Sequence, residues 1–577
     1  MPARGVPVAL SEKALKSISD MSKLSIICTA LAAFATLNAS AADDSTYLSK
    51  VWQPDRGDGT YRNPVINADY SDPDVVAVGD DFYMTASSFC NVPGLPILHS
   101  KDLVNWEIIN YAVKRLLPAD YYDAARHGDG IWAPAIRFHD GHFYIYWGDP
   151  DFGIFMVRSK TDDPRGEWDE PYLVTEAKGV IDTCPLWDED GKAYLVNGWA
   201  KSRSGLNAAL TVTEMSPDGK SLIGDPVMVY DGLPDGNHTI EGPKFYKHNG
   251  WYYIFAPAGS VAAGWQVVLR SRSPYGPYEQ RIVMAQGDTD INGPHQGGWV
   301  TTPAGEDWFI HFQDKGIIGR VVHLNPMTWR EDGWPVIGVD KDGDGCGDPV
   351  TTYRKPRVSA KVKPHTPVES DEFDSLTLGR QWQWFANYQP TFGFTTPYGY
   401  YRLYGHTLTP EFVNFREVPN LLTQKFPNES FTATAKVTVS ATVDGQQSGL
   451  IVMGRDYARL SVEKVGNEFA IKLIECKNAD KKKPETSTDI ITLPATRING
   501  EGGRASQDIN LWLRVKVDKN ELCTFSYSTD GKKFVNCGKP FQARQGHWIG
   551  ARVGLFSVQP KGPNRGWMDI DWFRVDK

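Results

Sequence analysis

One short pattern recurs five times before residue 314 and constrains the fold more than any other feature. A Gly, Asp or Asn turn is followed at once by an aromatic strand: GDDFYMTAS (79–87), DGHFYIYWG (140–148), DGKAYLVNG (190–198), NGWYYIFAP (249–257) and GEDWFIHFQ (305–313). The matching aromatic residues are Tyr83, Tyr144, Tyr194, Tyr253 and Phe309, with spacings of 61, 50, 59 and 56 residues. Further alternating sequence follows each copy, such as WQVVLRSRS after the fourth. A unit of that length that begins with a hairpin turn and alternates apolar with polar side chains is one small antiparallel sheet. Five such units in regular phase predict a five-bladed β-propeller. An irregular β-sandwich with chance turn similarity would not keep the phase.

The remainder of the chain is also strand-like but carries no copy of the repeat. FTATAKVTV (431–439), LWLRVKVD (511–518) and MDIDWFRV (568–575) alternate with period two, which predicts a β-sandwich. Between the two parts, residues 354–367 (RKPRVSAKVKPHTP) are basic, Pro-containing and without apolar periodicity. They read as an interdomain linker. The expected organisation is all-β: a propeller over 43–353, a linker over 354–367 and a sandwich over 368–577.

Upstream of the propeller, LSIICTALAAFATL (24–37) follows Lys23 and ends in Ala39-Ser40-Ala41. A basic start, a short apolar run and a small-x-small site define a secretory signal peptide over 1–41, with Met21 as the expected true start. The run is too short to span a bilayer comfortably. Cys28 is preceded by Ile27, so a secreted or periplasmic location is preferred over a surface lipoprotein. The formal net charge of −9 argues against nucleic acid or an anionic membrane as partner. The aromatic share of 12% suits surfaces that stack on sugar rings. The seven cysteines show no CxxC pair and no zinc spacing, so free or buried thiols are expected rather than a disulfide framework.

The repeat phase also locates candidate chemistry. The innermost strands of a propeller converge on its axis, and their starts share one face. Eleven to fourteen residues before the repeat aromatics stand Asp72 (YSDPDVV), Ala133 (IWAPAIRF), Asp182 (VIDTCPLW), Glu241 (TIEGPKFY) and His295 (NGPHQGGW). Three carboxylates and one histidine at one phase would surround a single axial pocket. Crowded carboxylates repel one another, cost stability and are usually retained for chemistry. Two carboxylates on opposite faces of a sugar, one protonated and one ionised, are the machinery of glycoside hydrolysis. A third near the acid can hold its proton on by repulsion.

NPVINADYSDPDVV, GIWAPAIRF, GVIDTCPLW, TIEGPKFYKHNGWYYIF and GPHQGGWV, in that order, resemble glycoside hydrolase family 43 across residues 60–350. The resemblance implies a five-bladed propeller and inversion at the anomeric carbon. On it Asp72 is the general base, Asp182 orients the acid and raises its pKa, and Glu241 is the general acid. His295 matches the family's axial histidine, found near a bound calcium ion or water. Arg320 (IIGRVVHL) matches the substrate-gripping arginine, and Phe89 and Trp132 match aromatic positions of the pocket wall. SSFCNVPGLPILHSKDLVNWEII (87–109) resembles the exo-acting β-xylosidase and α-L-arabinofuranosidase branch, and DEFDSLTLGRQWQW with MDIDWFRV resembles the concanavalin-like sandwich that follows the propeller in many such enzymes. The implied substrate is a plant polysaccharide or oligosaccharide such as xylan, arabinoxylan or arabinan. In some relatives a sandwich loop closes the pocket; no residue of this sequence identifies itself for that role.

Two other functions compete. A retaining fructan-active propeller enzyme would need an Arg-Asp-Pro motif, which is absent, and a Glu-Cys pair in phase; Glu475-Cys476 falls in the sandwich. A non-catalytic carbohydrate-binding surface protein leaves three phased carboxylates unexplained. DKDGDGCGD (340–348) opens like a calcium-binding EF-hand loop, but its twelfth position is Thr351 rather than Glu, and a domain-end loop is the preferred reading. Glu372 and Asp569 could hold a structural calcium, with ordinary surface acids the simpler reading.

Overall fold

The computed structural model describes residues 47–499, 506–560, 562 and 566–577. The signal peptide expected over 1–41 lies outside the described residues. Five four-stranded antiparallel sheets run in chain order, over Asp74–Val113, Trp132–Glu176, Val180–Asp231, Lys244–Met284 and His295–Ile337. These are the blades of a five-bladed propeller, and each carries one copy of the repeat on its second strand. The turns explain why the repeat begins as it does. Asp140 and Gly141 have φ of 47° and 75°, and Asn249 and Gly250 have 50° and 73°. Two successive residues at positive φ form the type I′ hairpin turn, whose twist matches that of the strands, and Asp-Gly and Asn-Gly tolerate it best. The strand that follows is buried on both faces, as in Trp251–Ala258, because each blade packs between two neighbours.

No blade borrows a strand to close the ring. The inner strands of blades five and one meet directly, so closely that a Cβ on Gly298 would lie 2.6 Å from Asp74 Oδ1. A two-stranded ribbon of Thr60–Arg62 with Thr352–Arg354 joins the ends of the propeller segment. The segment read as a linker is pinned down. The Lys355 ammonium pairs with Asp55 at 2.6 Å and Asp102 at 2.7 Å, Arg357 pairs with Glu306, and the His365 and Thr366 amides donate to Asn105 Oδ1 and the Tyr47 carbonyl.

The C-terminal part is a sandwich of an eight-stranded and a seven-stranded sheet. Val437, Leu460, Ile471, Leu513 and Phe573 fill the space between them. The other face of the seven-stranded sheet is covered in part by the propeller. Its Ile451, Met453, Tyr457 and Phe556 join propeller residues such as Val92, Leu95 and Ile131 in one apolar cluster. Val92 and Trp384 exchange backbone hydrogen bonds across this boundary, at 2.9 and 2.7 Å. Among the described residues six cysteines are free thiols, five of them buried.

Candidate active site

The five inner strands start with the same backbone distortion. Asp72, Ala133, Asp182, Gly242 and Gln296 all have positive φ, of 53°, 34°, 59°, 60° and 25°. Four of them are not glycine, and such a conformation persists only where the surroundings impose it. In blades two, three and five the ladder also slips at this point, between Trp132 and Ala135, Ile181 and Cys184, and His295 and Gly297. Bulges of this kind re-aim side chains. The phase found in the sequence therefore corresponds to a repeated kink.

Asp72 is buried and meets donors on every side. The hydroxyls of Ser71 and Ser87 donate to its Oδ2 at 2.7 and 2.6 Å, and Arg320 Nη1 donates to Oδ1 at 3.1 Å. Both hydroxyls are oriented in turn: Ser87 Oγ accepts the Ala133 amide at 2.7 Å, and Ser71 Oγ accepts Arg320 Nη1 at 2.8 Å. These donors fix the orientation of the carboxylate, and a general base must be held within hydrogen-bond reach of the proton it takes.

Asp182 and Glu241 have the opposite setting. Asp182 Oδ2 accepts the backbone N–H of Gly242 at 2.7 Å, which ties it to the residue following Glu241. Burial, then the charge of Asp72, pushes the Asp182 carboxyl well above its usual range. Glu241 is raised too, first by burial and next by Asp182. Its side chain stays 34% exposed, and that open part is the one a substrate could reach. The sequence reading named Asp182 as raising the acid; burial acts in the same direction and is the larger cause.

His295 lies 3.6 Å from Glu241 through Nε2. Burial, with Arg320 and His311 nearby, lowers its pKa to about 3, so the imidazole is neutral. Neither ring nitrogen has a protein hydrogen-bond partner, nor does the neighbouring Gln296 Oε1. A neutral imidazole can offer one donor and one acceptor, which fits a water or the water shell of a calcium ion; direct calcium ligands are mostly oxygens. Among the described residues, carboxylates with metal-like spacing come together in the Asp340, Asp342 and Asp344 loop. There Asp340 already accepts the Gly343 and Gly345 amides. Glu372 and Asp569 are each gripped by an arginine, Arg574 and Arg402.

The wall is aromatic. Phe89 is buried at φ 50° in the apolar cluster and meets Trp132 edge to face at 6.4 Å. Trp132 is partly exposed, and its indole N–H donates to the Gly128 carbonyl at 2.8 Å. Its other aromatic neighbour is Trp548, edge to face at 6.2 Å, which comes from the sandwich. The Trp548 ring also lies 5.9 Å from the Arg320 guanidinium. Its loop, residues 543–551, joins two sandwich strands. The loop fits so tightly that a Cβ on Gly128 would meet His547 Nδ1 at 2.5 Å. Behind it a cavity of about 110 Å³ is lined by Val261, Asp314, Arg320, Arg455 and Trp548. Trp548, Ser71 and Ser87 were not found by the sequence reading. The serines sit beside named residues and carry no signal of their own. GHWIG (546–550) does carry one, a lone tryptophan between glycines.

A propeller with three axial carboxylates at one face, two of them with raised pKa and one among donors, and with an aromatic wall, defines the glycosidase class of propeller. The comparisons give the family. The profile of Glycosyl hydrolases family 43 matches residues 61–335, and that of the Beta xylosidase C-terminal Concanavalin A-like domain matches 370–576. A putative beta-xylosidase of Xylanibacter ruminicola is 38% identical over 506 residues, covering 87% of each chain. A non-reducing end alpha-L-arabinofuranosidase of Bacteroides ovatus is 31% identical over 473 residues, covering 76% of this chain and 83% of its own. A solved Bacteroides ovatus structure, Xyloglucan PUL GH43B, superposes with a TM-score of 0.73 at 25% identity, over 89% of this chain and 99% of its own. The chain belongs to glycoside hydrolase family 43 and carries the family's concanavalin-like C-terminal domain.

Proposed function

We propose that the protein is an exo-acting, inverting glycoside hydrolase that releases terminal β-D-xylose or α-L-arabinofuranose from plant cell-wall polysaccharides or their oligosaccharides. The observation that carries this reading is the opposite setting of Asp72 and Glu241. Glu241, protonated through burial and its neighbour Asp182, donates its proton to the departing glycosidic oxygen. Asp72, fixed by two serines and Arg320, takes a proton from the water that attacks the opposite face of the sugar. Attack opposite the leaving group inverts the anomeric centre. Asp182 holds the Glu241–Gly242 backbone and adds charge that keeps the acid's proton on. Arg320 grips the sugar and orients the base together. Trp132 and Trp548 offer stacking surface, with Phe89 packed behind Trp132. His295 would hold a water, or a water of the shell of a calcium ion, through its unpartnered ring nitrogens.

Support for the substrate class comes from the names of the relatives, β-xylosidases and an α-L-arabinofuranosidase. Among the described residues no helix is long and apolar enough to cross a membrane. Together with the leader read in the sequence, a polymeric substrate supports a secreted or periplasmic site of action. The test is a proton NMR time course on xylobiose and on an arabino-oligosaccharide. Product of inverted configuration should appear first, as a monosaccharide together with the substrate shortened by one residue. Retained configuration would refute the assignment of Asp72 and Glu241, and early products two or more residues shorter than the substrate would refute the exo mode.

A further inference from the structure

The segment that carries Asp72 begins with another carboxylate. Asp69 is 4% exposed and reaches the boundary with the sandwich. Its Oδ1 accepts the backbone N–H of Arg320 at 2.9 Å, and its Oδ2 accepts the backbone N–H of Gly550 at 3.2 Å. The first donor belongs to the arginine that holds Asp72. The second lies two residues after Trp548. One carboxylate thus joins the base-bearing segment, the substrate-gripping arginine and the sandwich loop.

The surroundings are shaped for this junction. Tyr70 returns the clamp on Arg320, its N–H donating to the Arg320 carbonyl at 2.9 Å. The Ala551 N–H donates to the Ile317 carbonyl at 2.7 Å. Both backbones that meet Asp69 pass through glycine. A Cβ on Gly319 would lie 2.4 Å from Asp69 Oδ1 and 2.6 Å from the Gly550 nitrogen, and one on Gly550 would lie 2.4 Å from the Ile318 carbonyl oxygen. Trp548 has φ of 64°, a conformation a tryptophan does not choose locally, so tertiary contacts must hold it. Its ring nevertheless stays 43% exposed, so ring packing alone does not hold it.

We propose that Asp69 is a positioning residue for glycoside cleavage: by accepting the Arg320 and Gly550 amides on its two oxygens, it sets the sandwich residue Trp548 in register with the sugar-gripping Arg320. The proposal rests on the glycosidase reading for its kinetic consequence, but not for the contact itself. Asparagine matches the shape of aspartate yet has one acceptor oxygen, so Asp69→Asn must turn an NH₂ group toward one of the two backbone donors.

The experiment compares full-length wild type with Asp69→Asn, Trp548→Ala, the double variant and Gly550→Ala. Kinetics are read on nitrophenyl xyloside and nitrophenyl arabinofuranoside, and hydrogen–deuterium exchange on peptides covering 317–322 and 546–551. Asp69→Asn should raise KM about tenfold, equivalent to about 1.4 kcal/mol, with kcat falling less than about threefold. Trp548→Ala should do the same. The double variant should be no worse than about tenfold, because both changes break one device. Gly550→Ala, whose Cβ would strike the Ile318–Gly319 backbone and force the sandwich loop and the Arg320 segment apart while Asp69 keeps both acceptor oxygens, should also raise KM. Exchange in Asp69→Asn should rise in both peptides together.

A double variant whose KM rises multiplicatively, to about a hundredfold, would overturn the proposal. So would an unchanged KM in Asp69→Asn or Gly550→Ala, or faster exchange in only one peptide. If Asp69→Asn does not fold, the KM of Gly550→Ala decides. Wild type inactive on every pentoside would instead overturn the glycosidase reading, and the exchange result would still decide the coupling.

Discussion

Replacing Asp182 with asparagine removes one charge beside Glu241, the proposed acid, and leaves its backbone support intact, because an amide oxygen can still accept the Gly242 N–H now held at 2.7 Å. Burial raises Glu241 most and the Asp182 charge next, so the variant should lose part of the elevation. At about 6 Å, the outer limit of the range over which a neighbouring charge shifts a pKa, two unit charges at an effective dielectric of about 20 repel by about 2.8 kcal/mol, or about two pKa units. The open third of the Glu241 side chain admits water and weakens this by about half, leaving about one unit. The pair titrates as a unit, and the alkaline limb of the rate profile reports loss of its last proton. With one charge removed, that proton leaves at lower pH. The pH dependence of kcat/KM on an unactivated xyloside should therefore show the alkaline limb of Asp182→Asn about one unit below wild type. Asp182→Ala, which also loses the Gly242 bond, should lower the maximum rate further. An alkaline limb that stays in place in Asp182→Asn would refute the electrostatic role and leave Asp182 only its hold on the backbone.

Glu241→Ala should lose about 10²–10⁴-fold in kcat on natural oligosaccharides, whose leaving alcohols need a proton, and far less on a dinitrophenyl glycoside; equal losses on both would remove Glu241 from the acid's role. Asp72→Ala should damage both substrates alike, since water must be activated whichever group departs, and added azide, attacking from the face the carboxylate has vacated, should restore turnover through a glycosyl azide of inverted configuration; strong discrimination between the two leaving groups would argue against it as the base. Glu369, beside the domain boundary, is raised to about 8 by burial although both Ser49 and Tyr47 donate to it. Its folded form holds a proton that the unfolded chain releases near 4.5, so the stability it contributes is full below that pH and declines as pH rises toward 8. Unfolding melts should show Glu369→Gln stabilised relative to wild type at pH 8, by on the order of 1–2 kcal/mol, and not at pH 4; an equal shift at both pH values would count against the linkage.

The repeat was enough to predict five blades because the propeller is built from local hairpins. Each GDDFY- or NGWYY-type unit folds against its own neighbours in sequence, so its turn residues and its alternation are written side by side in the chain. The same regularity placed Asp72, Asp182, Glu241 and His295 at one phase, since equal distance from a repeat aromatic means equal height on the axis. What it did not reveal was the means: a left-handed residue at the head of every inner strand, imposed by the ring on Asp72, Ala133, Asp182 and Gln296 against their own preferences. Nor did it rank the forces on Glu241, because burial depends on atoms that arrive from other blades, whereas the Asp182 charge could be inferred from phase alone.

The sandwich contribution lies furthest from the sequence. Trp548 is more than 200 residues from Arg320 and more than 400 from Trp132, and no pattern in GHWIG names either. Its place is decided where three backbones close on Asp69 through Gly319 and Gly550. That depends on how the seven-stranded sheet seats against the first two blades, a fit of two surfaces that neither segment encodes by itself. Periodicity is a local property and fixes the blades; the meeting of a loop with a pocket is a property of packing between domains, and only the folded chain sets it.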